Sequence, residues 1–124
     1  VPIESENDPQ KAVNTAKEIF IKLEEFNREN YSKGYPEIKI GIGINYGEVI
    51  SGNIGSDRQM NYTVIGDNVN LAARLCSHAK PSQIVISKSV FEKLDDKSGF
   101  RSMNPIELKG KSKKIENWIF NAIN

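Results

Sequence analysis

Asn61-Tyr62-Thr63-Val64-Ile65-Gly66-Asp67-Asn68-Val69-Asn70-Leu71-Ala72-Ala73-Arg74 is the stretch around which the chain is organised. Tyr62, Thr63, Val64 and Ile65 are aromatic or β-branched, which suits a short strand, and Gly66 lets the chain turn sharply. Asp67 follows in the place of an N-cap. A carboxylate there accepts a hydrogen bond from a free backbone N–H and complements the positive end of the helix dipole. The spacing predicts a helix from about Asn68 to Ala79, with Val69, Ala72, Ala73 and Cys76 as its apolar stripe and Leu71 and Leu75 widening it. Asn70 and Arg74 fall one turn apart on a shared face. A neutral amide and a permanent cation therefore project side by side.

Upstream, the residues before Asp8 read as a loop, and Asp8-Pro9 supplies an N-cap with proline at the first helical position. Ala12, Val13, Ala16, Ile19, Phe20, Leu23 and Phe26 recur at helical spacing, so an amphipathic helix runs to about Asn30. From Ile38 to Asn45 isoleucine alternates with small or polar residues, the period of a strand with one buried face. The other face carries Gly41 and Gly43. These glycines either let a neighbouring backbone approach closely or leave room for a ligand. A second strand from Glu48 to Ile54 leads to a polar hairpin tip at Gly55-Ser56-Asp57-Arg58-Gln59.

Downstream, Gln83 to Ile86 reads as a strand and Ser87 as the N-cap of a short helix to about Leu94. His78, the single histidine, is assigned to the loop before that strand. Two more strands, Phe100 to Leu108 and Glu116 to Ala122, flank the turn Lys109-Gly110-Lys111-Ser112-Lys113. Helices mixed with hairpins make the fold class α+β, with a mixed or antiparallel sheet and flanking helices.

A chain of 124 residues fits one domain with a real core. With 17 Lys+Arg against 16 Asp+Glu, charge is nearly balanced and implies no nucleic-acid or acidic-membrane partner. No apolar run reaches bilayer-spanning length, and the first residues do not form a signal peptide. Cys76 is the lone cysteine and sits on a predicted apolar stripe, so it reads as a buried structural thiol in a chain without an intrachain disulfide. The chain opens on Val1 rather than methionine, and the expectation is a piece of something longer.

The residue types that carry chemistry are few. There is no HxxxH pair, cysteine cluster or Walker loop. Asp57, Asp67, Asp95 and Asp96 read as turn or cap residues, which leaves no paired carboxylates for a metal ion. Lys109 and Lys111, beside Gly110, are suited either to contacting phosphates or to guarding a sheet edge as solvated charges. For Asn70 and Arg74, too, both a solvated helix face and a functional pair stay open.

Two segments then carry a resemblance. Residues 40–55, IGIGINYGEVISGNIG, followed by YTVIGDNVNLAARL at 62–75, closely resemble the catalytic domain of class III nucleotidyl cyclases, and the match continues through Leu108-Lys109-Gly110-Lys111-Ser112. The resemblance covers essentially the whole chain. It implies a ferredoxin-like cyclase homology domain, truncated at its N-terminus, in which Asn70 orients the ribose of the substrate. Arg74 would stabilise charge building on the α-phosphate, and Lys109 would contact the nucleotide's phosphates. Thr63 aligns with the purine-selecting position. Threonine there points to ATP and to an adenylyl cyclase of the bacterial type, with Val64 lending backbone contacts to the adenine.

The same resemblance implies Mg²⁺ or Mn²⁺ in the intact enzyme, held by two aspartates in segments that precede the first helix predicted here. No metal is expected on this chain alone, and the chain alone is expected to be inactive. Family members work as head-to-tail dimers, so a homodimer is expected, or a strand-swapped homo-oligomer through an uncovered sheet edge. The location implied is cytoplasmic, with no membrane contact from this segment. A reading of a different class is a non-catalytic nucleotide-binding or dimerisation module of a signalling protein.

Overall fold

The computed structural model describes residues 2–3, 8–46, 48–54, 67–107 and 114–122. In chain order the elements are β1 (Pro2–Ile3), α1 (Pro9–Tyr31), β2 (Lys39–Asn45), β3 (Glu48–Ile54), α2 (Asp67–His78), β4 (Gln83–Ser87), α3 (Lys88–Glu92), β5 (Phe100–Glu107) and β6 (Lys114–Asn121). The described strands form one mixed sheet in the order β1-β3-β2-β4-β6-β5. Only β2 and β4 run parallel, while the other neighbours are antiparallel. This is the α+β arrangement expected, with helices on both faces.

Each element follows from local chemistry. Asp8 caps α1 by accepting from the backbone N–H groups of Gln10 and Lys11 at 3.0 and 3.3 Å, and Pro9 opens the helix. Ala12, Val13, Ala16 and Phe20 bury the helix face against Ile42, Ile44, Val49, Ile84 and Ile86 of the sheet. Near the C-terminal end of the helix, the Asn27 amide clasps Ile38, donating to its carbonyl at 2.8 Å and accepting from its N–H at 3.0 Å. That clasp ties the end of α1 to the approach to β2. On the same face the Phe91 and Trp118 rings stack with centroids 4.4 Å apart and hold α3 against β6.

The opposite face is closed by α2, whose Ala72, Ala73, Leu75 and Cys76, with Ala79 just beyond its end, pack on Ile50, Val85 and Ile106. Strand alternation divides the two cores. Val49 points toward α1 and its neighbour Ile50 toward α2.

Four expectations change in detail. The residues before Asp8 are not all loop: Pro2 and Ile3 pair antiparallel with Ile50 and Val49 of β3. Two residues have no readable period, so this bridge exists only through its partner strand. Helix α2 begins at Asp67 and ends on His78, so the histidine closes the helix instead of lying in the loop. Ser87 precedes α3 with extended dihedral angles but makes no side-chain cap bond. The final strand starts at Lys114, two residues earlier than expected. The strand expected at 62–65, the hairpin tip at 55–59 and the lysine turn at 109–113 lie outside the described residues.

Candidate active site

The site is built on the way α2 sits over β2. A Cβ placed on Gly43 would come within 2.3 Å of both the Ala72 carbonyl oxygen and the Cys76 backbone nitrogen, and one on Gly41 within 2.6 Å of the Ala79 methyl. The glycine face therefore serves close helix approach, which resolves the alternative left by the sequence. The stripe of small residues on α2 fits the same purpose. Cys76 is buried, its thiol 3.4 Å from the Gly41 carbonyl oxygen, as a structural thiol would be.

This seating brings the two candidate residues of α2 to one side of the helix, a turn apart. Asn70 is half-buried, and its Oδ1 is shielded from solvent with no hydrogen-bond donor among the described residues. Leaving a buried acceptor unsatisfied costs about 1–3 kcal/mol, so such an atom calls for an explanation. Arg74 is also half-buried, and among the described residues its guanidinium makes no hydrogen bond or ion pair. Its backbone carbonyl accepts the Ser77 hydroxyl at 2.7 Å. An amide acceptor without a donor thus lies one helical turn from an uncommitted, permanently charged fork.

No local signal in the chain announces a polar tier that crosses the sheet. Asn45 of β2, Ser87 of β4 and Asn117 of β6 are each 3% exposed, and they are the buried polar residues among those described. The pairing Ile44↔Ile86 sets Asn45 beside Ser87, and Ser87 pairs with Asn117. All three lie on the α2 face, in the row after Gly43 and Val85. The Ser87 hydroxyl donates to Asn45 Oδ1 at 2.9 Å and lies 3.0 Å from the Ser89 hydroxyl. The Ser87 hydroxyl is thus turned toward Asn45 and Ser89, and it makes no cap bond to α3. Only the pairing register could have revealed the tier, because the three residues stand 42 and 30 positions apart in sequence.

Beside the tier opens a polar cleft of about 460 Å³, bordered by Asn45, Leu71, Ser87, Lys114 and Glu116. Lys88, also on its wall, bridges Glu116 at 3.3 Å. A larger apolar groove of about 660 Å³ runs along α1 past Ile19, Leu23 and Phe26 to Ile40, on the sheet face away from Asn70. Among the described residues no group of three or more His, Cys, Asp or Glu side chains could hold a metal ion, so these residues do not fit the metal that the resemblance implies. Asp96 is a turn residue as expected, its carboxylate accepting from Ser98 Oγ at 2.5 Å and from Ser98 N–H at 3.0 Å. Thr63, Val64 and Lys109 lie outside the described residues. Of the expected site residues, the structure thus brings together Asn70 and Arg74.

Comparison with known proteins bears on the fold and the family. Residues 2–122 match the adenylate and guanylate cyclase catalytic domain. "Adenylate cyclase 1" of Rhizobium meliloti is 28% identical over 117 residues, covering 93% of this chain and 18% of that protein. The crystal structure of the guanylyl cyclase Cya2 superposes with a TM-score of 0.67 at 34% identity, covering 93% of this chain and 59% of that one. The catalytic core of a rhodopsin-guanylyl cyclase with converted specificity, in complex with ATPαS, superposes with a TM-score of 0.65 at 27% identity, covering 94% and 61%. The chain thus spans about three-fifths of these solved structures and a smaller share of the full-length relative. With its matched family extending over nearly every residue, the chain belongs to the adenylate and guanylate cyclase catalytic domains.

Proposed function

We propose that this chain supplies one half of an adenylyl cyclase active site, the half that grips the ribose and the α-phosphate of ATP. The observation that supports this reading is the Asn70 Oδ1, without a donor among the described residues, one turn from an Arg74 guanidinium that makes no ion pair or hydrogen bond among them. An amide acceptor there is suited to a ribose hydroxyl. A guanidinium fork is suited to the oxygens of the phosphorus under attack.

In the reaction the ribose 3′-oxygen bonds to the α-phosphorus while the bond to the departing diphosphate breaks, leaving 3′,5′-cyclic AMP. The hydroxyl proton is lost to the surroundings. Negative charge on the α-phosphate oxygens grows as the new bond forms, and Arg74 offsets it without having to gain a proton first. Removing one such donor typically costs about 3–4 kcal/mol of transition-state stabilisation. Asn70 holds the sugar so that its 3′-oxygen faces the phosphorus. Lys109 would add a point charge against the remaining phosphates, and Thr63, with backbone contacts from Val64, would select adenine over guanine.

The family's Mg²⁺ or Mn²⁺ supplies activation of the hydroxyl and neutralisation of the triphosphate when bound. Among the described residues no carboxylate group fits that ion, and from the resemblance we infer that the metal-bearing carboxylates lie elsewhere in the complete enzyme, which would leave this chain inactive alone. A partner subunit, joined head to tail, would bring the metal-bearing carboxylates. The experiment is complementation. This chain is mixed with an intact cyclase subunit whose own Asn and Arg positions are disabled, and cyclic AMP formation should return. A folded mixture that stays silent overturns the half-site reading in favour of a non-catalytic module. Cyclic GMP from GTP as the main product would overturn the choice of ATP.

A further inference from the structure

The chain leaves β2 and β4, the parallel neighbours, in opposite directions. From Asn45, the last residue of β2, it turns back to β3 on one side, and from Ser87, the last of β4, it passes through α3 to β5 and β6 on the other. Ligands of open sheets bind at such a divergence, beyond the carboxyl ends of the parallel strands, because the departing chains leave a crevice there. Here a difference in strand length deepens the crevice. Ser87 pairs with Asn117 of β6, so Lys114, Ile115 and Glu116 run on past the end of β4. On their other side Lys114 and Ile115 are paired with Glu107 and Ile106 of β5. The polar cleft of about 460 Å³ occupies this notch, a size suited to a small organic ligand.

The floor of the notch is Asn45 and Ser87, both shielded from solvent, with Ser89 beside them. A seryl hydroxyl has a single proton. That of Ser87 goes to Asn45 Oδ1 at 2.9 Å, so Ser89 is left as the donor in the 3.0 Å contact between the two hydroxyls. Both protons point into the tier, and the seryl oxygens keep lone pairs for a donor from outside. Leu71 and Ile115 supply apolar wall. At the rim Lys88 is bridged to Glu116 at 3.3 Å, whereas the Lys114 ammonium makes no ion pair or hydrogen bond among the described residues. One uncompensated positive charge therefore stands over a floor of acceptors.

We propose that the notch is a second small-molecule site, distinct from the Asn70 and Arg74 pair, and that it takes a sugar phosphate. Sugar hydroxyls donate to the Ser87 and Ser89 oxygens, the ring carbons lie against Leu71 and Ile115, and the phosphate meets Lys114. A bare anion would leave the floor unused, and a neutral sugar would leave the lysine unused. Neither Asn70 nor Arg74 is among the described residues that line the notch.

The test is a titration of the full chain with glucose 6-phosphate at fixed ionic strength, followed by backbone amide NMR. Saturable shifts are expected at Ser87, Ser89 and Ile115. Glucose and inorganic phosphate, titrated separately, should each bind about tenfold more weakly or worse, since each lacks one set of contacts. Lys114→Met keeps the stem and removes the charge, and it should weaken binding about fivefold, as loss of an exposed ion pair does. Ser89→Ala should weaken it about tenfold. Both side chains are exposed, so the spectra of these variants should otherwise superpose on that of the unaltered chain. Arg74→Ala should bind the probe as the unaltered chain does.

The absence of saturable shifts at these amides overturns the proposal. So does glucose or inorganic phosphate that binds as tightly as glucose 6-phosphate, and so does undiminished affinity in Lys114→Met or in Ser89→Ala. Binding that disappears in Arg74→Ala means that the probe occupies the nucleotide face, which overturns the notch as a site and leaves the half-site reading standing.

Discussion

Replacing Gly43 by alanine adds one methyl group at the point of closest approach between α2 and the sheet. The new Cβ would lie 2.3 Å from Ala72 O, 2.3 Å from Cys76 N and 2.8 Å from Cys76 Cα. All three are helix backbone atoms, so no side chain can rotate away. Reaching ordinary contact at 3.4 Å requires α2 to lift by about 1 Å or to slide along the strand. Overpacking of this kind costs about 1–3 kcal/mol, and rigid backbone partners place Gly43→Ala toward the upper end.

The functional loss should be larger than the loss of stability. A misplacement of about 1 Å can cost about 100-fold in rate, and Asn70 and Arg74 ride on the displaced helix. Gly41→Ala is the internal control. Its Cβ meets the Ala79 methyl at 2.6 Å, just past the end of α2, where the chain yields more easily. Urea unfolding and complementation of the two variants provide the measurements. The expected order is wild type, Gly41→Ala, Gly43→Ala in both stability and activity. A Gly43→Ala chain as stable and as active as wild type would refute the claim that these glycines exist to seat α2.

Asn70→Leu keeps the volume while removing the donorless oxygen, so unfolding free energy should hold steady or rise by up to about 1–3 kcal/mol while complementation is lost. A marked fall in stability would mean that Oδ1 has a structural partner. Arg74→Ala should lower complemented kcat by about 10²–10³-fold with little change in the unfolding midpoint, since the described residues give the guanidinium no partner. Self-association is expected as well, because among the described residues β1 pairs with Val49 and Ile50 of β3 alone and an apolar groove lies open along α1. Light scattering that finds a monomer at high concentration would contradict this.

The Ser98 hydroxyl, then the Ser98 N–H, hold Asp96 below the usual aspartate range. Because its folded pKa is depressed, its contribution to stability is present above the unfolded value and fades as pH falls through the folded one. Carbon-detected NMR titration should show Asp96 titrating below ordinary aspartates, and Ser98→Ala should move it upward.

Much of the local structure was legible because each signal sits within a few residues. Asp8-Pro9 announces α1, and the isoleucine alternation from Ile38 to Asn45 announces β2. The bounds of β3, Glu48 and Ile54, were read directly. The pair Asn70 and Arg74 was visible as an i, i+4 spacing, and the motif around it carried the family. That much the sequence determined by itself, since capping, periodicity and side-chain spacing are properties of neighbours in the chain.

The tertiary structure decided what depends on pairing between distant residues. It showed that Gly41 and Gly43 seat a helix backbone and that Pro2-Ile3 is a strand because β3 is there to receive it. It drew the Ser87 hydroxyl toward Asn45, and among the described residues it left Asn70 Oδ1 without a donor. The reason is common to all four. A strand records which of its residues share a face, but its neighbour and register are fixed only when distant strands pair, and burial and hydrogen-bond satisfaction follow from that choice.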